Sequence, residues 1–176
     1  ENTIDNKNYK VYIDELGNIS QIYDKINKKD ILAAPIKYEI RSNSYVHYGA
    51  WEIVYEDVQK DAIAVVEGNP KVRITENGPV RVSLEITRDN AVSTYVQTIS
   101  LTAESDYVNV GNNVNWTELS SFLKVVFPLS VSSEKATYDM GLGTIDRGNN
   151  EKMKYEVPVH QWANLKDSSE NYSVTI

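Results

Sequence analysis

Apolar and polar residues alternate along most of this chain. The segments 9–13 (Tyr-Lys-Val-Tyr-Ile) and 71–75 (Lys-Val-Arg-Ile-Thr) follow the pattern, and 80–88 extends it furthest. There Val80, Val82, Leu84 and Ile86 interleave with Arg81, Ser83, Glu85 and Thr87. A period of two places each set on its own face of a strand, whereas a helix would scatter both around its circumference. The same reasoning predicts strands at 93–101, 107–116, 122–131, 137–142, 154–159 and 172–176. Turn signals separate them: Leu16-Gly17-Asn18, Glu67-Gly68-Asn69-Pro70, Asn77-Gly78-Pro79 and Arg88-Asp89-Asn90 supply residues that tolerate positive φ or pre-set a turn. No amphipathic helix of three turns is present. The short helical candidates at 24–32 and 116–121 read more economically as connections between strands.

The pattern therefore predicts an all-β fold: a two-sheet antiparallel sandwich, because strands as long as 80–88 and 93–101 bury a face only by stacking on another sheet. Without an internal repeat or a Pro/Gly/Ser linker, residues 1–176 are expected to form a single domain. The chain stops inside the strand pattern of 172–176, and truncation of a larger C-terminal region is expected.

Charge and composition narrow the partners. Lys and Arg total 18 against 25 Asp and Glu, a formal charge of −7, and the densest basic stretch, 25–29, holds three lysines, so nucleic acid is not expected as a partner. With no cysteine there is no disulfide framework, thiolate metal site or cysteine nucleophile. Apolar runs such as 62–66 and 125–129 are too short to cross a bilayer, and no membrane partner is expected. No targeting segment is recognisable in the chain.

Catalytic constellations are weakly represented. The two histidines, His47 and His160, stand far apart, and neither belongs to a His-x-Asp or His-x-His pair that would set two ligands on one strand face. No Gly-x-Ser-x-Gly elbow accompanies the serines. Glu52, Glu56 and Asp57 beside Trp51 and Tyr55 would suit a sugar site, since glycosidases need two carboxyl groups and aromatic faces stack on pyranoses. Yet Trp51, Ile53 and Tyr55 also alternate as a strand would, which predicts aromatics in the core and acids in solvent. Gly141-Leu142-Gly143-Thr144 lacks the Lys-Ser/Thr of a phosphate loop and reads as a strand bend.

Longer motifs occur in a specific order. From Phe122 the chain reads Phe-Leu-Lys-Val-Val-Phe-Pro-Leu-Ser-Val, then Ala136-Thr137-Tyr138-Asp139, Gly143-Thr144-Ile145-Asp146-Arg147, and Tyr155-Glu156-Val157-Pro158-Val159-His160-Gln161-Trp162-Ala163-Asn164-Leu165. Upstream stand Asn8-Tyr9-Lys10-Val11, Leu16-Gly17-Asn18-Ile19-Ser20-Gln21-Ile22-Tyr23-Asp24-Lys25, Ala50-Trp51-Glu52-Ile53, Asn77-Gly78-Pro79-Val80-Arg81 and Val96-Gln97-Thr98-Ile99-Ser100-Leu101. This ordered set resembles the β-rich C-terminal region of glycoside hydrolase family 38 α-mannosidases over nearly the whole chain. Three departures from the usual family pattern stand out: Gly49 and Asn164 where the family has Asp, and the pair Gly148-Asn149 where it has Pro-Thr.

The resemblance implies a super-sandwich of the galactose-mutarotase-like type. It also implies a parent enzyme that hydrolyses α-mannosides with retention and uses zinc. The family's zinc ligands and nucleophilic aspartate lie in an N-terminal catalytic domain that nothing here matches, so no catalytic or metal-binding residue is expected in this chain. Its expected partners are that catalytic domain and mannose-containing glycans. The alternative is a free-standing carbohydrate-binding β-sandwich using exposed aromatics such as Trp162 or Tyr48. Candidate cleft residues are His160 and Trp162, with Arg147 as a neighbour. If the strand at 154–159 runs on to Trp162, then Glu156, Pro158, His160 and Trp162 share one face.

Overall fold

The computed structural model describes residues 2–45, 47–90, 92–148 and 151–176. In chain order the elements are β1 (Asn2–Asp5), β2 (Tyr9–Ile13), β3 (Ile19–Asp24), β4 (Lys29–Asp30), β5 (Lys37–Ser42), α1 (Tyr55–Val58), β6 (Ala64–Val65), β7 (Lys71–Asn77), β8 (Arg81–Asn90), β9 (Ser93–Thr102), β10 (Asn109–Asn115), β11 (Ser121–Val126), β12 (Lys135–Asp139), β13 (Thr144–Gly148), β14 (Ala163–Lys166) and β15 (Ser173–Thr175). The expected all-β antiparallel architecture is what the chain forms, its ladders divided among four sheets: β1-β2-β3-β4 (sheet I), β10-β9-β8-β7 (sheet II), β11-β5-β6 (sheet III) and β13-β12-β14-β15 (sheet IV). The chain folds as two compact units, one of residues 1–42 and 62–128, the other of 43–61 and 129–176.

In the first unit, sheet II supplies the long face on which the core is built. Leu84, Ile86 and Arg88 of β8 stand opposite Ile99, Gln97 and Tyr95 of β9, and all six are buried. Sheets I and III cover this face. Val11, Ile13, Ile19 and Ile22 come from sheet I, and Tyr38 and Ile40 from β5. Polar groups tie the layers. Asn6 Nδ2 donates to the carbonyls of Thr102 (2.8 Å) and Ser105 (3.0 Å), and Tyr38 Oη donates to Asn112 Oδ1 at 2.9 Å. Burying hydroxyls and amides in a core costs free energy that such partners offset.

The structure corrects several expectations. The turn expected at Arg88-Asp89-Asn90 does not form: β8 continues, Asp89 pairing with Thr94 and Asn90 with Ser93, because buried Arg88 belongs to the sheet's inner face. Val92 stands in a turn before β9, and Ala91 is outside the described residues. The expected strand at 154–159 is absent. Its alternation of Tyr155, Val157 and Val159 finds no partner strand, and Pro158 has no N–H to give a ladder. Strand β14 begins only at Ala163. Strand β5, which the expected set lacked, pairs with β11 over its whole length. Gly141 to Gly143 form the turn of the β12–β13 hairpin rather than a bend within one strand.

Candidate functional site

Sheet IV, in the second unit, carries the candidate residues. Ala136 and Tyr138 of β12 alternate with Lys135, Thr137 and Asp139, so the strand has an apolar and a polar face. Register extends the apolar face through Ile145, Ala163, Leu165 and Val174. The polar face is a row running across all four strands: Asp146 opposite Thr137, Thr137 opposite Asn164, and Asn164 opposite Thr175. Thr137 Oγ1 donates to Asp146 Oδ1 at 2.7 Å, and Asn164 Nδ2 donates to Thr175 Oγ1 at 2.8 Å.

Asp139 organises the corner where this row meets the chain leaving β12. Its Oδ1 accepts from Gly141 N–H at 3.0 Å and its Oδ2 from Gln161 N–H at 3.1 Å. Its backbone N–H donates to Trp162 O at 3.0 Å and its carbonyl accepts from His160 N–H at 3.1 Å. One residue thus fixes both the hairpin turn and the segment 160–162. His160 is exposed, and its ring lies over Gly141, where a Cβ would come within 3.2 Å of Nδ1. Trp162, half-buried, shares the polar face with Asp139 and lines a shallow cavity of about 340 Å³ with Thr137, Asn164 and Thr175.

Arg147 lies elsewhere. It pairs with Ala136 on the apolar face, where its guanidinium stands 5.5 Å from the Tyr138 ring centroid and Nη1 donates to Pro158 O at 2.7 Å. The structure therefore places Trp162 and Arg147 on opposite faces of sheet IV and links His160 to Trp162 through Asp139. The face shared by Glu156, Pro158, His160 and Trp162 does not exist, since it required the absent strand. Sequence reasoning did not select Thr137, Asp139, Asp146 and Thr175. The Asp-x-Gly spacing of Asp139 and Gly141 is a turn signal that marks the corner, but the row itself depends on long-range register.

A second feature of this unit is the loop 43–61. Trp51 was expected in a core strand; it is 85% exposed, and Tyr48 is 58% exposed. Trp51, Tyr48 and Tyr45 form a chain of rings with centroids 6.4 and 6.2 Å apart. The expected order of aromatics inside and acids outside holds for exposed Glu52 and Glu56 and half-buried Tyr55, but fails at Trp51 and at Asp57, which is buried at 1% exposure. Asp57 accepts from Ser44 N–H and from Lys60 Nζ, each at 2.6 Å. Asn43 Nδ2 closes the loop on Gly49 O at 2.7 Å. A Cβ at Gly49 would sit 2.7 Å from Tyr45 O, so the family's Asp has no room in this turn. Tyr155 Oη donates to Ile53 O at 2.9 Å, and its ring meets Tyr55 edge-on at 5.2 Å.

The hydrogen bond from Lys60 and that from the Ser44 amide hold the Asp57 carboxyl down to about 2. A carboxyl depressed in the folded state contributes stability that is complete above its unfolded value near 3.8 and is lost as pH falls toward 2. Acidification from pH 4 to 2 is therefore expected to loosen the loop, and Asp57→Asn to loosen it at neutral pH and remove the acid transition. Near-ultraviolet circular dichroism of the aromatic loop against pH checks this. An unchanged acid transition in Asp57→Asn would assign the transition to other carboxylates.

A larger concavity of about 570 Å³ lies on sheet I, lined by Asn2, Tyr12, Ile13, Asp14, Glu15, Ser20 and Gln21. Three of its polar side chains already serve the fold. Asp14 Oδ1 accepts from the amides of Leu16 and Asn18, Ser20 Oγ donates to Tyr12 O, and Gln21 donates to Asp30. Among the described residues no three His, Cys, Asp or Glu side chains converge where a metal ion could be held. No described helix is long and apolar enough to cross a membrane.

The sequence model described as "Glycosyl hydrolases family 38 C-terminal domain" matches residues 4–176. The chain belongs to this family. Among curated relatives, "Alpha-mannosidase G" of Dictyostelium discoideum is 25% identical over 178 residues, a match that covers 93% of this chain and 16% of the relative. "Alpha-mannosidase 2C1" of Homo sapiens is 24% identical over 177 residues, covering 94% and 17%. The chain thus spans about a sixth of the length of these relatives. The fold matches the crystal structure of an alpha-mannosidase from Enterococcus faecalis V583 with a TM-score of 0.74 at 16% identity, over 94% of this chain and 22% of that one. Residues 4–176 are accordingly a family 38 C-terminal domain.

Proposed function

We propose that this chain completes the substrate cleft of a retaining, zinc-dependent α-mannosidase by packing against that enzyme's catalytic domain. The observation that carries the reading is the family match through residues 4–176 at a sixth of the relatives' length. The exposed rings of Tyr48 and Trp51, backed by half-buried Tyr45, support it, since contiguous exposed aromatics mark surfaces that another element covers, and this loop is held in shape by Asn43 and Asp57. The zinc and the nucleophile belong to the catalytic domain. His160 and Trp162, set by Asp139, are the residues offered to the rim of the cleft.

The isolated chain is expected to be silent on aryl α-mannosides with or without added zinc, because retaining hydrolysis needs a nucleophile and an acid about 5 Å apart across the bond. Turnover that co-purifies with the chain and disappears on mutating one of its carboxylates would overturn the non-catalytic reading. In a complete enzyme carrying this domain, His160→Ala is expected to lower kcat/KM at unchanged melting temperature. A fall in melting temperature with kinetics per folded molecule unchanged would remove His160 from the cleft.

A further inference from the structure

The polar face of sheet IV presents the hydroxyl, carboxylate and amide groups of Thr137, Asp146, Asn164 and Thr175, which cost free energy to cover unless the covering group supplies matching hydrogen bonds. Asn164 Nδ2 donates to Thr175 Oγ1 and, at 3.3 Å, to Val174 O, while Oδ1 accepts no bond from the described residues. Asp146 Oδ2 is likewise without a hydrogen-bond partner among the described residues, Oδ1 having taken the Thr137 hydroxyl. Beside Thr137, Asn164 and Thr175 stands one large apolar surface, the indole of Trp162, in the same concavity. A basic residue is not among the lining groups, so phosphate and other anions are poorly matched.

A ligand suited to this surface has an apolar face for the indole and an edge of neutral groups that both donate and accept. A pyranose ring has both: axial C–H bonds on one face and hydroxyls at its rim. The cavity, about 340 Å³, lies at the small end of ligand sites and suits one ring rather than an extended chain. We propose that the outer face of sheet IV is a hexopyranose-binding site of the domain itself, with Trp162 as its apolar wall and Asn164, Thr175 and the Thr137–Asp146 pair as hydroxyl partners. The inference rests on the reading that the parent enzyme handles glycans, and it adds a non-catalytic site at which such a glycan is held. A shallow single-ring site of this kind binds at about 1 mM, within the range of small ligands that bury little surface.

The three tryptophans, Trp51, Trp116 and Trp162, give three indole N–H signals in a nitrogen-15 correlation spectrum of the 176-residue chain. Titration with methyl α-mannopyranoside, methyl α-glucopyranoside and methyl α-galactopyranoside is expected to shift the Trp162 signal saturably with at least one of them. Trp51 and Trp116 should stay in place. Asn164→Ala is expected to weaken binding at least tenfold, the loss of a good hydrogen bond. Thr175→Val, on the edge strand where little packing is disturbed, should weaken it severalfold while leaving the spectrum dispersed. No shift of Trp162 with any of the sugars up to about 50 mM, or equal shifts in wild type and Asn164→Ala, would overturn the proposal. The cleft-completing reading is judged by turnover and kcat/KM, so either can fail while the other stands.

Discussion

Arg88→Ala is expected to destabilise the first unit by about 4 kcal/mol, roughly 10 °C in melting temperature for a chain of this size. Arg88 is 2% exposed, and its guanidinium serves a turn far away in sequence: Nε donates to Leu16 O at 3.3 Å, and Nη2 donates to Gly17 O and, at 3.4 Å, to Asn18 Oδ1. Its Cζ also lies 5.9 Å from the Tyr38 ring centroid. Burial lowers its pKa from the ordinary value, yet a guanidinium remains charged at neutral pH. The alanine variant opens a cavity under sheet I and strands the buried Gly17 carbonyl. Arg88→Met retains most of the volume and no longer has to desolvate a charge, so about half of that loss is expected. Arg88→Lys keeps the charge but not the fork, and should fall between them. Denaturant unfolding followed by circular dichroism ranks the three; an alanine variant within about 1 kcal/mol of wild type would mean that water replaces the guanidinium at Gly17.

Local alternation was informative where a strand had a partner and misleading where it had none. Leu84, Ile86, Ile99 and Leu101 are buried as their period of two requires. Trp51, Ile53 and Tyr55 have the same period, but no strand pairs with them, and Asp57 and Asn43 close the segment into a loop instead. Alternation describes the faces of a strand; whether a ladder forms is decided by segments distant in sequence. Lys154 to Val159 failed for that reason and because of Pro158. Strand β5 has only Tyr38 and Ile40 to mark its inner face, and its main ladder joins β11, across most of the first unit. The family match was readable because ordered motifs survive where single contacts do not. Trp162 and His160 came from those motifs, while the row through Asp146, Thr137, Asn164 and Thr175 needed the register of three separate pairings. Arg147, adjacent to that row in sequence, faces the other way by the same parity.

Gly17→Ala is expected to cost about 3 kcal/mol, through two causes that add. Gly17 has a φ of 75°, a left-handed conformation that disfavours a residue with a side chain. Its Cβ would also stand 2.9 Å from Ile86 Cγ2, 2.9 Å from Pro70 Cβ and 3.1 Å from Arg88 Nη2. Ile86 is fully buried and cannot withdraw, so the turn must lift away from sheet II. Lifting it stretches the bond by which Arg88 holds Gly17 O, and the two sites are therefore coupled. The double variant Gly17→Ala, Arg88→Met should be less destabilised than the sum of the single variants by about 1 kcal/mol, because the hydrogen bond is lost only once. Strict additivity in that cycle would show that Gly17 strain and the Arg88 hydrogen bond are independent, and would leave the clash with Ile86 and Pro70 as the whole reason for glycine at this turn.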